Sequence, residues 1–306
     1  MENFVSFSPH IKNDDKVNKA YIIIAISLVP AFLAGTIIFG FRSLLILLIS
    51  LASVVGSEIV FNYCRYKKFV FNDYSTILTG LLIALMMPPK VPVLYPVLGA
   101  VLSNVLVKNC MGGVGRSIVN EATFAKVVTF TAFSNAFNCY KISGGEQTST
   151  TLLGSVLNGA GTEESVFGIL LGKGVGSIGE TAILFLLVGG IVLCVLKVVD
   201  YKIPVIYLTT ILLMSMLCFG VKESLVLMAS GGAVLCAFYL LTDYSCMPKT
   251  LLGKLVYGLA AGVVTVLYWR FGKMPDLGAF YAVLIVGIVA NAVKGFYRPK
   301  FIREKK

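Results

Sequence analysis

The sequence YIIIAISLVPAFLAGTIIFG, residues 21–40, contains no charged side chain. A helix needs roughly 20 mostly apolar residues to cross the hydrocarbon core of a bilayer. This stretch is therefore predicted to be a transmembrane helix. Residues 1–20 are polar and lack the apolar core of a cleaved signal peptide. We expect them to form a cytoplasmic segment before an uncleaved membrane anchor.

The same apolar character recurs along the whole chain of 306 residues. Hydrophobic residues make up 57% and charged residues 13%, whereas soluble domains carry about 25% charged residues. The sequence predicts an all-α membrane protein with about ten transmembrane helices in one integral membrane domain, 1–306. The predicted segments are roughly 21–40, 43–63, 75–88, 93–108, 120–137, 181–199, 203–220, 223–241, 252–270 and 278–295.

The distribution of basic residues predicts how these helices are oriented. With the N-terminus in the cytoplasm, the inner connections carry eighteen Lys and Arg and the outer connections carry seven. That bias fits the positive-inside rule and predicts that both termini are cytoplasmic. The net charge of +11 is thus interpreted as a topology signal, with no nucleic-acid partner expected. The longest connection, 138–180, falls on the outer side, and the basic tail, 296–306, falls on the inner side.

The third and eighth segments differ from ordinary spans. The third has about 13 residues before Pro88 and Pro89, and the eighth contains Ser230-Gly231-Gly232. Each is third in a set of five. Interrupted segments at matching positions are typical of inverted repeats with a site at their interface. We therefore predict two inverted five-helix repeats.

Several polar residues are candidates for a functional role, and each has a simpler structural interpretation. Ionisable residues inside spans are costly and often functional. Glu58 and Asp243 could line an ion path, and Glu58 could equally pair with a neighbouring helix. Gly113 and Arg116 lie in a Gly-rich loop that could hold a phosphate or only mark the inner side. Glu180 could contact a cation or flavin, or simply favour a helix N-terminus.

Five stretches in collinear order resemble the NqrB/RnfD family of membrane subunits. They are Ser8-Pro9-His10, STILTGLLIALMMPP at 75–89, GGVGRSIVNEATFAK at 112–126, GSIGETAILFLLVGG at 176–190 and FGKMPDLGAFYAVLIVGIVANAV at 271–293. In the third stretch Glu121 stands where the family usually has Pro. The short segment before Ser8 favours the Rnf-type members over the NqrB-type members.

The resemblance implies a covalent flavin. Family members carry FMN as a phosphoester of Thr in an S/T-G-A-T-x-L motif before the sixth helix, on the outer face. The motif maps onto Thr148-Ser149-Thr150-Thr151-Leu152-Leu153, where Ser149 and Thr150 depart from Gly and Ala. The expected acceptor is Thr151, with Thr150 as the alternative register. The other expected cofactor contacts are Thr148, Ser149, Arg116, Gly113 and Glu180. No catalytic residue and no metal ligand is predicted, and a second, non-covalent flavin such as riboflavin is compatible with the family.

The function implied by the resemblance is that of a relay subunit. It would belong to an Rnf complex, an ion-translocating ferredoxin:NAD oxidoreductase in the bacterial cell membrane, and pass electrons through FMN while Na⁺ or H⁺ moves. Its partners would be other membrane and peripheral subunits, including a G subunit with covalent FMN, and membrane lipid. The alternatives are a secondary transporter or channel without redox function, a structural anchor, or an NqrB-type quinone reductase subunit. The ion and the direction of electron flow are left open.

Overall fold

The computed structural model describes residues 14–67, 74–113, 115, 117–137, 140–141, 147–148, 151–159, 166–181, 183–230 and 232–296. These residues are helical apart from connections and one small hairpin, in which β1 (Tyr140–Lys141) pairs antiparallel with β2 (Gln147–Thr148). The helices before the hairpin are α1 (Asp14–Phe39), α2 (Phe41–Tyr66), α3 (Tyr74–Met86), α4 (Leu94–Leu102), α5 (Glu121–Ala132) and α6 (Ser134–Phe137). Those after it are α7 (Leu152–Leu157), α8 (Val166–Gly168), α9 (Ile183–Val195), α10 (Lys202–Phe219), α11 (Val221–Ala229), α12 (Ala233–Leu235), α13 (Leu251–Phe271) and α14 (Gly278–Phe296).

Some α-helices continue into π-helical turns, and one is preceded by a 3₁₀ turn. The π-helical stretches Ser103–Asn109, Ile169–Lys173 and Cys236–Leu240 extend α4, α8 and α12, and the 3₁₀ turn Pro275–Leu277 precedes α14. Each of the ten apolar segments predicted from the sequence contains a helix. The fifth is shorter than predicted, because α5 ends at Ala132 and the chain turns at Phe133 into α6.

Within the part of the chain that the structure describes, five helices are long and apolar enough to cross a membrane. They are Asn18–Phe39, Phe41–Arg65, Lys202–Phe219, Leu251–Phe271 and Pro275–Val293. A sixth span results if Val221–Ala229 and Ala233–Leu240, which meet at 61°, count as one. Ile37 and Leu217 are each 84% exposed, which suits a surface in lipid and not one in water. The chain is a helical, multi-pass membrane protein.

The two interrupted segments predicted from the sequence are present. The helix α3 has 13 residues, about 20 Å at ~1.5 Å per residue, which is short of a ~30 Å hydrocarbon core. Its free carbonyls are satisfied by another segment: Gly179 N donates to Leu85 O at 2.7 Å, and Ile178 N donates to Met87 O at 3.1 Å. The break between α11 and α12 includes Gly232, whose φ of +68° favours glycine.

The two halves of the chain meet where α1 packs on α9 and where α5 packs on α14. The contact between α1 and α9 is close because Gly189 has no side chain. A Cβ at Gly189 would lie 2.6 Å from the carbonyl oxygen of Ser27 in α1 and 2.5 Å from the hydroxyl of Tyr239. The backbone oxygen cannot rotate away, so the two helices would have to separate.

We expect Gly189→Ala to lower the free energy of unfolding by about 2 kcal/mol, the usual cost of overpacking. Gly56→Ala in α2 is the matched control, because a Cβ there meets nothing within 4 Å. That change should be neutral or stabilising by up to about 1 kcal/mol. Denaturant titration of the purified protein in detergent measures both, and equal midpoints for the two variants would contradict the close packing described here.

Candidate functional site

Two clusters of polar side chains lie at opposite ends of α14. Asp276 lies in the 3₁₀ turn before this helix, and Asn291 lies near its end. The fifteen residue steps from Asp276 to Asn291 span about 22 Å. Thr151 contacts Asp276, whereas the loop before α5 contacts Asn291, whose side-chain amide donates to Ile118 O at 2.6 Å. We call these clusters the Thr151 end and the Asp243 end.

At the Thr151 end, the side chain of Thr151 is the N-cap of α7. Its Oγ1 accepts a hydrogen bond from Gly154 N at 3.1 Å and donates one to Asp276 Oδ1. The backbone also holds this turn, because Leu152 N donates to Val175 O at 3.0 Å. Thr151 is 4% exposed. The predicted flavin acceptor is thus a buried hydroxyl that joins the long connection between α6 and α9 to the start of α14.

Glu180 belongs to the same end of the molecule. Its Oε2 accepts a hydrogen bond from Ser177 N at 3.0 Å. Its Oε1 faces the break before α12, where a Cβ on Gly232 would lie 3.2 Å from it. The electric field of Glu180 also acts on Asp276. The structure therefore brings together two residues from the sequence prediction, Thr151 and Glu180, around a carboxylate that the prediction did not include.

Lys126 of α5 is buried against the end of α3. It is 1% exposed, and its Nζ donates to Met86 O at 2.5 Å and to Ser177 Oγ at 3.4 Å. Three rings surround the ammonium at 5.0–5.9 Å, those of Phe130, Phe137 and Phe280. A carbonyl at a helix C-terminus and aromatic faces both favour a cation, which explains a lysine inside the bundle.

At the Asp243 end, Glu58 of α2 forms an ion pair with Lys108. The distance from Lys108 Nζ to Glu58 Oε2 is 3.1 Å, and the two side chains are 1% and 4% exposed. Lys108 Nζ also donates to Thr76 Oγ1 of α3 at 2.5 Å. The pairing of Glu58 with a neighbouring helix, one of the two interpretations left open by the sequence, is present in the structure.

A pocket of about 570 Å³, including its open mouth, lies beside this ion pair. Two carboxylates line it, Glu121 and Asp243. Glu121 accepts a hydrogen bond from Thr79 Oγ1 at 2.9 Å, and Asp243 accepts one from Asn120 Nδ2 at 2.9 Å. Asn120 also caps α5 through Thr123 N at 3.0 Å, so it fixes the helix and Asp243 together. The other lining residues include four aromatic side chains: Tyr21, Phe238, Tyr239 and Tyr244.

The structure places Gly113, another residue of the predicted cofactor site, away from Thr151. Gly113 donates through its backbone N–H to Lys108 O at 2.9 Å, which places it at the Asp243 end. Arg116, Ser149 and Thr150 lie outside the described residues, and Thr148 ends β2. Gly113 and the predicted flavin acceptor Thr151 therefore lie near opposite ends of α14.

Sequence reasoning missed Asp276 and the burial of Lys108. Asp276 stands inside FGKMPDLGAFYAVL, a stretch that the family resemblance had already singled out. Hydropathy assigns Lys108 to a loop on the inner side. In the structure, π-helical turns extend α4 to Asn109, and Lys108 is therefore buried in the interior. Nothing local in the sequence indicates that extension.

The comparisons with known proteins cover nearly the whole chain. The D-type component of the Na⁺-translocating ferredoxin:NAD⁺ oxidoreductase complex of Acetobacterium woodii is 30% identical over 301 residues, 97% of this chain and 94% of the relative. Its counterpart in the proton-translocating complex of Clostridium ljungdahlii is 29% identical over 96% of this chain and 94% of that protein. The counterpart in an ion-translocating oxidoreductase complex of Methanosarcina acetivorans is 27% identical over 97% of this chain and 96% of that protein. The model of the NQR2, RnfD, RnfE family matches residues 4–303, and the chain belongs to that family.

Proposed function

We propose that this chain is the D-type membrane component of an ion-translocating ferredoxin:NAD⁺ oxidoreductase complex. The observation that carries the proposal is collinear similarity over 97% of the chain to a protein named as that component. Its partners are then the other membrane and peripheral subunits of the complex, including one that carries covalent FMN. Because a long connection and not a soluble domain holds the predicted flavin site, the chain works as a relay inside the complex and not alone.

The cofactor in this proposal is FMN, joined to Thr151 by a phosphoester, with Thr150 as the alternative acceptor. The chemistry of the residue fits, since a hydroxyl at the start of a helix can accept a phosphoryl group. The arrangement around Thr151 does not fit the protein with FMN attached, because Oγ1 is buried against the carboxylate of Asp276. A second, non-covalent flavin such as riboflavin is also part of the proposal, and the aromatic side chains lining the pocket at the Asp243 end support it.

The topology in this proposal is ten membrane segments in two inverted repeats, with both termini in the cytoplasm. Helix pairing supports the repeat. In the first half α1 packs on α3, α2 on α3 and α4, and α5 on α3 and α4. In the second half the corresponding pairs recur, with α9 on α12, α10 on α11 and α13, and α14 on α13 and the π-helical extension of α12. A two-fold axis between the halves would also bring α1 to α9 and α5 to α14, as observed.

The ion path in this proposal enters at the Asp243 end, past Asp243 and Glu58. What supports it is the grouping of buried carboxylates, because ionisable residues at membrane depth are costly and mark ion routes. Glu121 joins them, since it is close enough to feel the charges of Lys108, Asp243 and Glu58. The same cluster would suit a transporter without redox function, so the experiment must measure electrons and ions together.

The complex containing this chain, reconstituted in liposomes, should reduce NAD⁺ with reduced ferredoxin and take up Na⁺ or H⁺. We expect Asp243→Asn to lower ion uptake at least about tenfold while NAD⁺ reduction stays within about threefold, where tenfold corresponds to 1.4 kcal/mol. Glu223→Gln is the control, an exposed carboxylate in the first turn of α11. Equal loss of both activities in Asp243→Asn would contradict the ion path. Ion uptake without NAD⁺ reduction by the unaltered complex would favour the transporter.

A further inference from the structure

The hydroxyl of Thr151 makes two hydrogen bonds of opposite kind. As an acceptor it caps α7 through Gly154 N, and as a donor it binds the carboxylate of Asp276. Only the second bond needs the hydroxyl proton. It is also the bond that joins residues 125 positions apart, so it ties the long connection between α6 and α9 to the start of α14.

Attachment of a flavin phosphate would remove that proton. With a flavin dinucleotide as donor, a bond forms between Thr151 Oγ1 and the flavin phosphorus and the anhydride bond breaks. The nucleoside monophosphate leaves, and the hydroxyl proton is released to solvent. The product oxygen has no hydrogen to donate, and the phosphodiester adds one negative charge beside Asp276. Glu180 adds to the repulsion at this low-dielectric site, and Lys126, whose charge also acts on Asp276, offsets part of it.

The buried position of Thr151 also obstructs the reaction itself. A separate transferase must reach Oγ1, yet Thr151 is 4% exposed and Leu153, which follows in α7, is 1% exposed. The segment must leave Asp276 before modification, and it cannot return to the same position afterwards.

We propose that Asp276 is a latch that distinguishes the free hydroxyl of Thr151 from its phosphoester. The latch holds α7 against the start of α14 while Thr151 is unmodified and releases α7 once the flavin is attached. The release of α7 on attachment of FMN rests on the proposed function. The latch itself rests only on the hydrogen bond between Thr151 and Asp276. Asp276 is thus a positioning residue, and α7 has a closed and an open state.

A pair of variants tests the latch without any flavin. Thr151→Asn and Thr151→Asp give caps of equal quality for α7, because Asn and Asp are equivalent at the N-cap. Only the amide of asparagine can also donate to Asp276, whereas the carboxylate of aspartate repels it. We expect backbone amides 152–158 to exchange hydrogen at least about tenfold faster in Thr151→Asp than in Thr151→Asn at pH 9, where a proton shared between the two carboxylates is lost.

Adding Asp276→Asn to Thr151→Asp should remove the increase in hydrogen exchange, because the new amide at position 276 can donate to the aspartate at position 151. In this double variant, exchange should return to within about threefold of that in Thr151→Asn. Amides in α13 serve as the control for global unfolding and should not change. Equal exchange in Thr151→Asp and Thr151→Asn would overturn the latch, and so would faster exchange in Thr151→Asp that Asp276→Asn does not reverse.

A second measurement separates the latch from the proposed function. The wild-type protein is prepared with and without co-expressed flavin transferase, and its intact mass is measured. If FMN is attached, amides 152–158 should exchange faster in the loaded protein, and Asp276→Asn should be loaded faster than wild type; unchanged exchange on loading would overturn the latch. If no mass is added, the covalent flavin is disproved, while the comparison of the Asn and Asp variants still decides whether the latch exists.

Discussion

Replacing Thr151 with valine is expected to leave the protein without covalent flavin and to lower electron transfer through the complex about 100-fold, equivalent to about 2.7 kcal/mol of barrier. Valine has the shape of threonine but no hydroxyl, so no phosphoester can form. The flavin supplies the redox chemistry and the protein supplies its position, and for that reason a chain without flavin interrupts the relay. Intact mass of the purified protein and NAD⁺ reduction by the complex measure the two effects.

Three matched variants separate attachment from folding. Thr151→Ser keeps a hydroxyl and should keep the flavin. Thr151→Asn keeps the N-cap of α7, worth about 1 kcal/mol, and should lose the flavin as completely as Thr151→Val. Thr150→Val tests the alternative register. Loss of flavin in Thr150→Val with retention in Thr151→Val would move the acceptor to Thr150 and contradict the assignment to Thr151.

Replacing Lys108 with methionine is expected to destabilise the protein by about 3–5 kcal/mol, the usual cost of leaving one partner of a buried ion pair alone. Lys108 and Glu58 are 1% and 4% exposed, so water cannot compensate the remaining carboxylate. Methionine has nearly the length of lysine, which limits the cavity left behind. Denaturant titration in detergent gives the free energy of unfolding.

The double variant Lys108→Met/Glu58→Gln shows whether the unpaired charge of Glu58 causes the loss of stability. It removes both charges and should recover most of the lost stability, because a neutral pair of similar volume carries little desolvation cost. Lys254→Met is a control, since its partner Asp200 lies 2.5 Å away but the pair is 16% and 22% exposed. An exposed pair contributes at most about 1 kcal/mol. If Lys108→Met were no more damaging than Lys254→Met, the ion pair with Glu58 would not stabilise the fold.

The sequence predicted the helices well because hydropathy is a local property. The short third segment could be recognised from Pro88 and Pro89, which follow the 13-residue helix α3, and the break in the eighth segment from Ser230-Gly231-Gly232. Both signals lie within the segment they describe. The family, likewise, followed from motifs that can be located one at a time in collinear order.

The contacts that build the site could not be predicted, because each joins distant parts of the chain. Thr151 meets Asp276, Glu58 meets Lys108, and Asn120 meets Asp243. Hydropathy assigns charged residues such as Lys108 to loops, and it gives no information about a partner on another helix. The motifs also gave no indication that Glu180 lies at the same end of α14 as Thr151, or that Gly113 lies at the other end.

The ammonium of Lys126 has one further consequence for the passage of ions. Broken helices in transporters commonly hold a travelling alkali ion with the carbonyls of a helix end. Here the carbonyl of Met86, the hydroxyl of Ser177 and three phenyl faces are already engaged by a charge that is covalently part of α5. That charge cannot leave, and like charges repel strongly in so dry a place. On the proposed ion path, a cation that entered beside Asp243 would therefore be repelled by the fixed positive charge of Lys126.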